Sequence, residues 1–182
     1  MLFILSIDRW LFFFINHAPH APLFDALAMT LSGVYGSTVA VWILLSIVLF
    51  IREEERDHWF FLPVILASAA SAFITNVWLK NAIARFRPQV LPEAISVGAP
   101  LSDFSFPSGH ATFAWALAVV LTGKEPSAKW LFYLLAFAIS LSRIYLGKHY
   151  PSDVVVGGIL GWVIGKSALM IERIILVRKR KR

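Results

Sequence analysis

Ser142-Arg143-Ile144-Tyr145-Leu146-Gly147-Lys148-His149-Tyr150-Pro151-Ser152-Asp153 closes one apolar run, Lys129 to Leu146, and leads into another, Val154 to Val177. Each run is long enough to cross a bilayer as a helix, for which about 20 apolar residues suffice. Gly147 and Pro151 turn the chain between them, so the stretch is the tip of a helical hairpin. Ionisable groups at a membrane boundary are costly unless protein surrounds them, yet Arg143, Lys148, His149 and Asp153 all crowd into this turn.

Outward from this hairpin, Val34 to Ile51, Trp59 to Leu79 and Ser108 to Thr122 are three further apolar runs. The chain is 58% hydrophobic with a mean hydropathy of +0.71, far more apolar than a soluble domain of 182 residues needs to fill its core. The predicted fold is therefore all-α, a polytopic membrane helix bundle forming a single domain over residues 1–182, with five spans. Leu2 to Asn16 adds an N-terminal apolar helix, making six helices in all. Asp8 and Arg9 interrupt it and the breaker run His17-Ala18-Pro19-His20-Ala21-Pro22 follows, so it either spans or lies in the interface. Leu23 to Gly33 is an extra amphipathic turn or an extension of the first span. The Ser108 run is short, roughly 22 Å at 1.5 Å per residue, which sets its polar start below the membrane surface.

With no cysteine, disulfides, thiolate metal sites and cysteine nucleophiles are excluded. The net charge of +6 does not point to nucleic acid, because the tail Arg178-Lys179-Arg180-Lys181-Arg182 follows a hydrophobic run directly, as a membrane-flanking anchor does. No positive charge precedes the first apolar stretch, so it does not resemble a cleaved secretory signal. If the spans alternate in direction, Arg52, Arg56, Lys124, Lys129 and the tail share one side, which the positive-inside rule makes cytoplasmic. The polar clusters then share the extracytoplasmic face of the cytoplasmic membrane. Gly157, Gly161 and Gly165 recur at four-residue intervals in the last span, a small-residue ridge best used for internal packing.

Three clusters carry the chemistry. Lys80 and Arg87 are two helical turns apart, so on a continued helix they share a face and converge on one anion, while Arg85 is rotated away toward headgroups. Taken alone, these cations equally suit the membrane interface. Pro107-Ser108-Gly109-His110 begins a helix with Ser108 as N-cap; free N–H groups there bind phosphate, and His110 stands beside the same anion. In the third cluster His149 and Asp153 meet across the turn. A carboxylate on one imidazole nitrogen fixes the tautomer and leaves the other nitrogen as a nucleophile.

Taken together, Lys80 with six residues before Arg87-Pro88, Pro107-Ser108-Gly109-His110, and Ser142-Arg143 with five residues before His149 and three more before Asp153 resemble the signature of the type 2 phosphatidic acid phosphatase superfamily, with no signature position substituted. The resemblance implies a metal-independent phosphatase on a six-helix membrane bundle, acting on lipid phosphates. It implies His149 as the nucleophile forming a phosphohistidine, Asp153 orienting it, and His110 as general acid and then base. Lys80, Arg87, Arg143, Ser108 and the Gly109 amide would hold the phosphoryl oxygens. No metal or other cofactor is implied, and the acidic turn Glu53, Glu54, Glu55 and Asp57 falls on the far side of the membrane. Glu93 and Asp103 lie nearer, with a lid or substrate selection as their candidate role.

The expected partners are a lipid phosphate substrate and membrane lipids, not nucleic acid. Undecaprenyl diphosphate is the leading substrate, with phosphatidic acid, phosphatidylglycerol phosphate and lipid A phosphate as others. The alternative is a transporter or binding protein that recognises phosphate without cleaving it. Binding alone needs the cations but neither histidine.

Overall fold

The computed structural model describes residues 2–32, 35–52 and 59–180, and every regular element among them is helical. The acidic turn at Glu53 to Asp57, Arg56 and the last two residues of the basic tail lie outside the described residues. Eight α-helices follow in chain order: α1 (Leu2–Asn16), α2 (Pro22–Ser32), α3 (Tyr35–Arg52), α4 (Phe61–Ala72), α5 (Lys80–Ile83), α6 (Gly109–Lys124), α7 (Lys129–Tyr145) and α8 (Pro151–Arg180). A π-helical segment, Phe73–Leu79, joins α4 to α5.

The all-α class agrees with the sequence, whereas the number of spans is smaller by helix length. Phe61–Ile83, Pro126–Tyr145 and Pro151–Arg178 are long and apolar enough to cross a membrane, and α2 with α3 makes a fourth if that bent pair is one span. The run expected to span from Ser108 to Thr122 becomes α6, whose 16 residues measure about 24 Å. It is the core of the bundle. From Gly109 to Leu121 every residue but Trp115 is buried, packed by α4, α7 and α8, so a helix apolar all round faces protein on all sides.

Small residues make that packing close. A Cβ on Gly157 would stand 2.8 Å from the Ser108 carbonyl oxygen, one on Gly161 2.3 Å from that of Thr112, and one on Gly165 2.6 Å from that of Ala116. The contacts advance by four residues on both helices, so α6 and α8 run parallel, and both begin at the same end of the bundle. The glycine ridge serves internal packing, as its spacing suggests. At the far end of this helix pair the half-buried Lys124 Nζ meets the buried Glu172 Oε1 at 2.5 Å.

Local chemistry sets where the helices start and stop. Ser108 is extended (φ −71°, ψ 112°) and its Oγ accepts from the Ala111 N–H at 3.4 Å, an N-cap worth about 1 kcal/mol. The helix carrying Lys80 ends at Ile83 and not at Pro88, because Ala84 adopts a left-handed conformation at φ 51°. Gly147 turns α7 into α8 at φ +74°. A Cβ there would meet the Ile95 carbonyl oxygen at 2.4 Å, so both backbone angle and space demand glycine.

Helix α1 lies across the end of the bundle where α6 and α8 begin. Asp8 accepts from the Ser152 N–H at 2.8 Å, and Asn16, further along the same helix, donates to the Tyr145 and Ile95 carbonyls at 2.9 and 2.8 Å. Positions eight residues apart on α1, about 12 Å along its axis, therefore touch the same turn region between α7 and α8.

Candidate active site

The end of the bundle where α5 stops and α6 and α8 start holds a cavity of about 240 Å³, lined by Asn76, Lys80, Arg87, Leu101, Asp103, Gly109, His110, Arg143 and His149. Residues from all three sequence clusters thus meet in one place. Each arrives by a different device: Lys80 from the helix after the π-segment, Arg87 from the extended chain past Ala84, Gly109 and His110 from the first turn of α6, Arg143 from the end of α7 and His149 from the turn held by Gly147.

Arg87 organises the centre. Its Nη1 donates to the Lys148 carbonyl at 2.8 Å and lies 3.1 Å from His149 Nε2. A guanidinium only donates, so Nε2 accepts and carries the lone pair, which puts the imidazole proton on Nδ1. Nδ1 faces Asp153 Oδ2 at 3.5 Å, longer than a hydrogen bond. Oδ2 is held in turn by the Tyr150 N–H at 2.9 Å. Burial above all, then the charges of Arg87, Arg143 and Lys80, hold His149 well below its ordinary pKa of 6.5. The imidazole therefore presents an accepting nitrogen to a cavity lined by cations.

The cations are already partnered. Asp103 takes Lys80 Nζ at 2.5 Å on one carboxylate oxygen and Arg87 Nη2 at 2.7 Å on the other. Burial alone would raise the Asp103 carboxyl, but the Lys80 hydrogen bond and the charges of Arg87 and Lys80 prevail and hold it below its ordinary 3.8. Its side chain is nonetheless 51% exposed, on the open side of the cavity. One carboxylate thus bridges both cations at the cavity wall. Arg143, 1% exposed, donates through Nη1 to the Ser32 carbonyl, which closes α2 onto the site.

Ser108 does not line the cavity; its hydroxyl caps α6, leaving Gly109 at the wall. A Cβ on Gly109 would come within 3.0 Å of Asn76 Oδ1, so glycine lets the π-segment and the α6 terminus share one wall. Lys148 turns away, donating to Ser96 Oγ at 2.9 Å and the Ala99 carbonyl at 3.0 Å, and ties down the loop over the site. Burial first, then Arg143 and Arg87, push its pKa down to about 8. Glu93 pairs with Arg9 at 3.6 Å outside the cavity.

Arg85 is the clearest departure from the sequence reading. Instead of reaching headgroups it donates to Asp153 Oδ1 at 2.6 Å and to Asp8 Oδ2 at 2.6 Å. Asn76 and Asp8 were not expected at the site. The signal for Asn76 is its position four residues before Lys80, on the same helical face, and that for Asp8 is a carboxylate inside an otherwise apolar helix. Among the described residues no three His, Cys, Asp or Glu side chains gather as a metal-ligating group.

The family model of the PAP2 superfamily matches residues 59–173, which include every residue of the three clusters. The chain belongs to the PAP2 superfamily. Among PAP2 relatives, the decaprenylphosphoryl-5-phosphoribose phosphatase of Mycobacterium tuberculosis is 36% identical over 135 residues, covering 72% of this chain and 71% of its own. The undecaprenyl-diphosphatase of Sulfolobus acidocaldarius is 33% identical over 135 residues, covering 72% of this chain and 64% of its own. The crystal structure of Aquifex aeolicus LpxE superposes with a TM-score of 0.73 at 32% identity, covering 90% of this chain and 95% of that one. This PAP2 chain is an integral membrane protein of a phosphatase family whose relatives act on lipid phosphates.

Proposed function

We propose that the protein hydrolyses a lipid phosphomonoester or diphosphate through a phosphohistidine, without a metal ion. The observation that carries this reading is His149, whose accepting Nε2 sits on a cavity with Lys80, Arg87 and Arg143 while Nδ1 faces Asp153. In the first step Nε2 attacks phosphorus in line, the N–P bond forms, and the P–O bond to the leaving group breaks. His110 gives that oxygen its proton. In the second step His110 takes a proton from water, whose oxygen displaces His149 and releases phosphate. Lys80, Arg87, Arg143 and the amides at the α6 terminus stabilise the charge on the equatorial oxygens, the part that magnesium plays in many phosphoryl-transfer enzymes.

Undecaprenyl diphosphate is our first candidate substrate, supported by two relatives named for polyprenyl substrates. Phosphatidic acid, phosphatidylglycerol phosphate and lipid A phosphate complete the panel. We place the site on the extracytoplasmic face of the cytoplasmic membrane, with the C-terminus cytoplasmic, on the strength of the distribution of Lys and Arg.

The test is phosphate release from these four lipids by protein in detergent, with EDTA present. Release is expected from at least one, with undecaprenyl diphosphate fastest. His149→Ala should lose at least about 1,000-fold in kcat, and acid quenching of wild type on labelled substrate should trap an acid-labile phosphoprotein. Activity abolished by EDTA would overturn the metal-free step; full turnover by His149→Ala would overturn the nucleophile. Binding without release from any lipid would favour a transporter.

A further inference from the structure

Asp8 and Arg85 stand outside the cavity, yet they form a continuous charged chain to the carboxylate behind His149. Arg85 Nη1 donates to Asp153 Oδ1 at 2.6 Å and to Ser152 Oγ at 2.7 Å; its Nη2 donates to Asp8 Oδ2 at 2.6 Å. Asp8 also accepts from the Ser152 N–H at 2.8 Å and the Ser152 hydroxyl at 2.6 Å, so it caps the start of α8. The guanidinium lies over the Tyr150 ring, 4.0 Å from its centroid. Asp8 and Asp153 are both buried, at 6% and 0% exposure. Asp8 belongs to α1, which precedes the residues matched by the family model.

We propose that Asp8 and Arg85 are positioning residues that set the charge felt by the His149–Asp153 pair, Arg85 by fixing Asp153 Oδ1 and Asp8 by offsetting the charge that Arg85 brings. This rests on the reading of His149 as nucleophile. Asp153 divides its two oxygens: Oδ1 goes to Arg85, and Oδ2 goes to the Tyr150 N–H and faces His149 Nδ1. Paired with Arg85 alone, Asp153 would present almost no net charge to the imidazole. The second carboxylate, Asp8, restores one negative charge to the three-residue chain, and a proton on Nδ1 is then stabilised as negative charge leaves Nε2 in the attack.

A mere staple between α1 and α8 would make the same contacts, but it makes different predictions about pH. His149 is faced by Arg87 from the extended chain past Ala84, Lys80 from α5, Asp103 from the loop, His110 from α6, Arg143 from α7 and Asp153 from α8, while Lys148 beside it points away to Ser96 and Ala99. All of these stay in place in the variants below. Removing the Asp8 charge makes the surroundings more positive, so His149 protonates at lower pH. Removing the Arg85 charge does the opposite.

The experiment measures kcat/KM against pH for full-length wild type, Asp8→Asn, Arg85→Gln and the double variant, on one lipid phosphate in one detergent so that substrate ionisation cancels. The acid limb should move down by about half a pH unit in Asp8→Asn, up by a similar amount in Arg85→Gln, and return toward wild type in the double variant. Arg85→Lys keeps the charge and loses the fork; its limb should stay in place while kcat falls, which provides the comparison with Asp8→Asn if Arg85→Gln fails to fold. Limbs that coincide with wild type while kcat or melting temperature falls would reduce the chain to a staple and overturn the proposal. Full turnover by His149→Ala would instead remove the reading beneath it, so the two failures are distinguishable.

Discussion

Asp103 holds both Lys80 and Arg87, so under the proposed function a substrate phosphate has to displace it. Asp103→Asn removes the competing charge while keeping the side chain's size. The expected result is a KM lowered about 3- to 10-fold and tighter inhibition by inorganic phosphate, with kcat within about twofold. An unchanged KM would mean that the Asp103 contacts cost the substrate nothing. His149 makes a prediction about stability. Its folded pKa lies below its ordinary 6.5, so between those values the unfolded chain binds a proton that the folded chain refuses. Stability is therefore lost as pH falls below 6.5, by up to about 1.4 kcal/mol per pH unit. The melting temperature of wild type should fall more steeply between pH 7.5 and 5 than that of His149→Gln, and parallel curves would contradict the buried neutral imidazole.

The contact of α6 with α8 fixes the distance between His110 and Asp153, because each stands in the first turn of its helix. Gly161 is the tightest point, with its would-be Cβ 2.3 Å from a backbone oxygen that cannot move aside. Gly161→Ala should cost about 1–3 kcal/mol in stability and most of the turnover. Gly123→Ala meets only the flexible tip of Leu169, at 2.8 Å, and should be milder on both counts. Thermal unfolding and phosphate release on the pair check this, and equal effects would mean that α6–α8 spacing does not govern the site. The same elements show where sequence reasoning stops. Extending the helix from Lys80 to Pro88 rotates Arg85 away from the site, but Ala84 at φ 51° ends the helix and turns Arg85 onto Asp153. No residue type at position 84 announces that break.

At the scale of the whole molecule, the all-α bundle was legible because apolar runs of spanning length have few other uses, and the cavity because three spaced clusters supply complementary chemistry. The central burial of α6 was less so: a run apolar on every side suits lipid and protein interior alike, and its sixteen residues alone hint at the second. Asp8 and Asn76 were missed because their value depends on which elements they meet, which spacing along one helix does not encode. Topology is the expectation that belongs to the entire chain. A reporter on the C-terminal tail should read cytoplasmic and one in the loop from Pro92 to Pro100 external; the reverse would put the reaction inside the cell. Finally, the burial of α6 separates two demands that membrane enzymes commonly place on the same helices. The outer helices carry most of the exposed apolar surface and set the hydrophobic length, while the helix bearing the cap and His110 is buried apart from Trp115 and its last turn. Substitutions that adapt the chain to a thicker or thinner bilayer can then accumulate on the outer faces over evolutionary time, leaving the register of the reacting groups undisturbed.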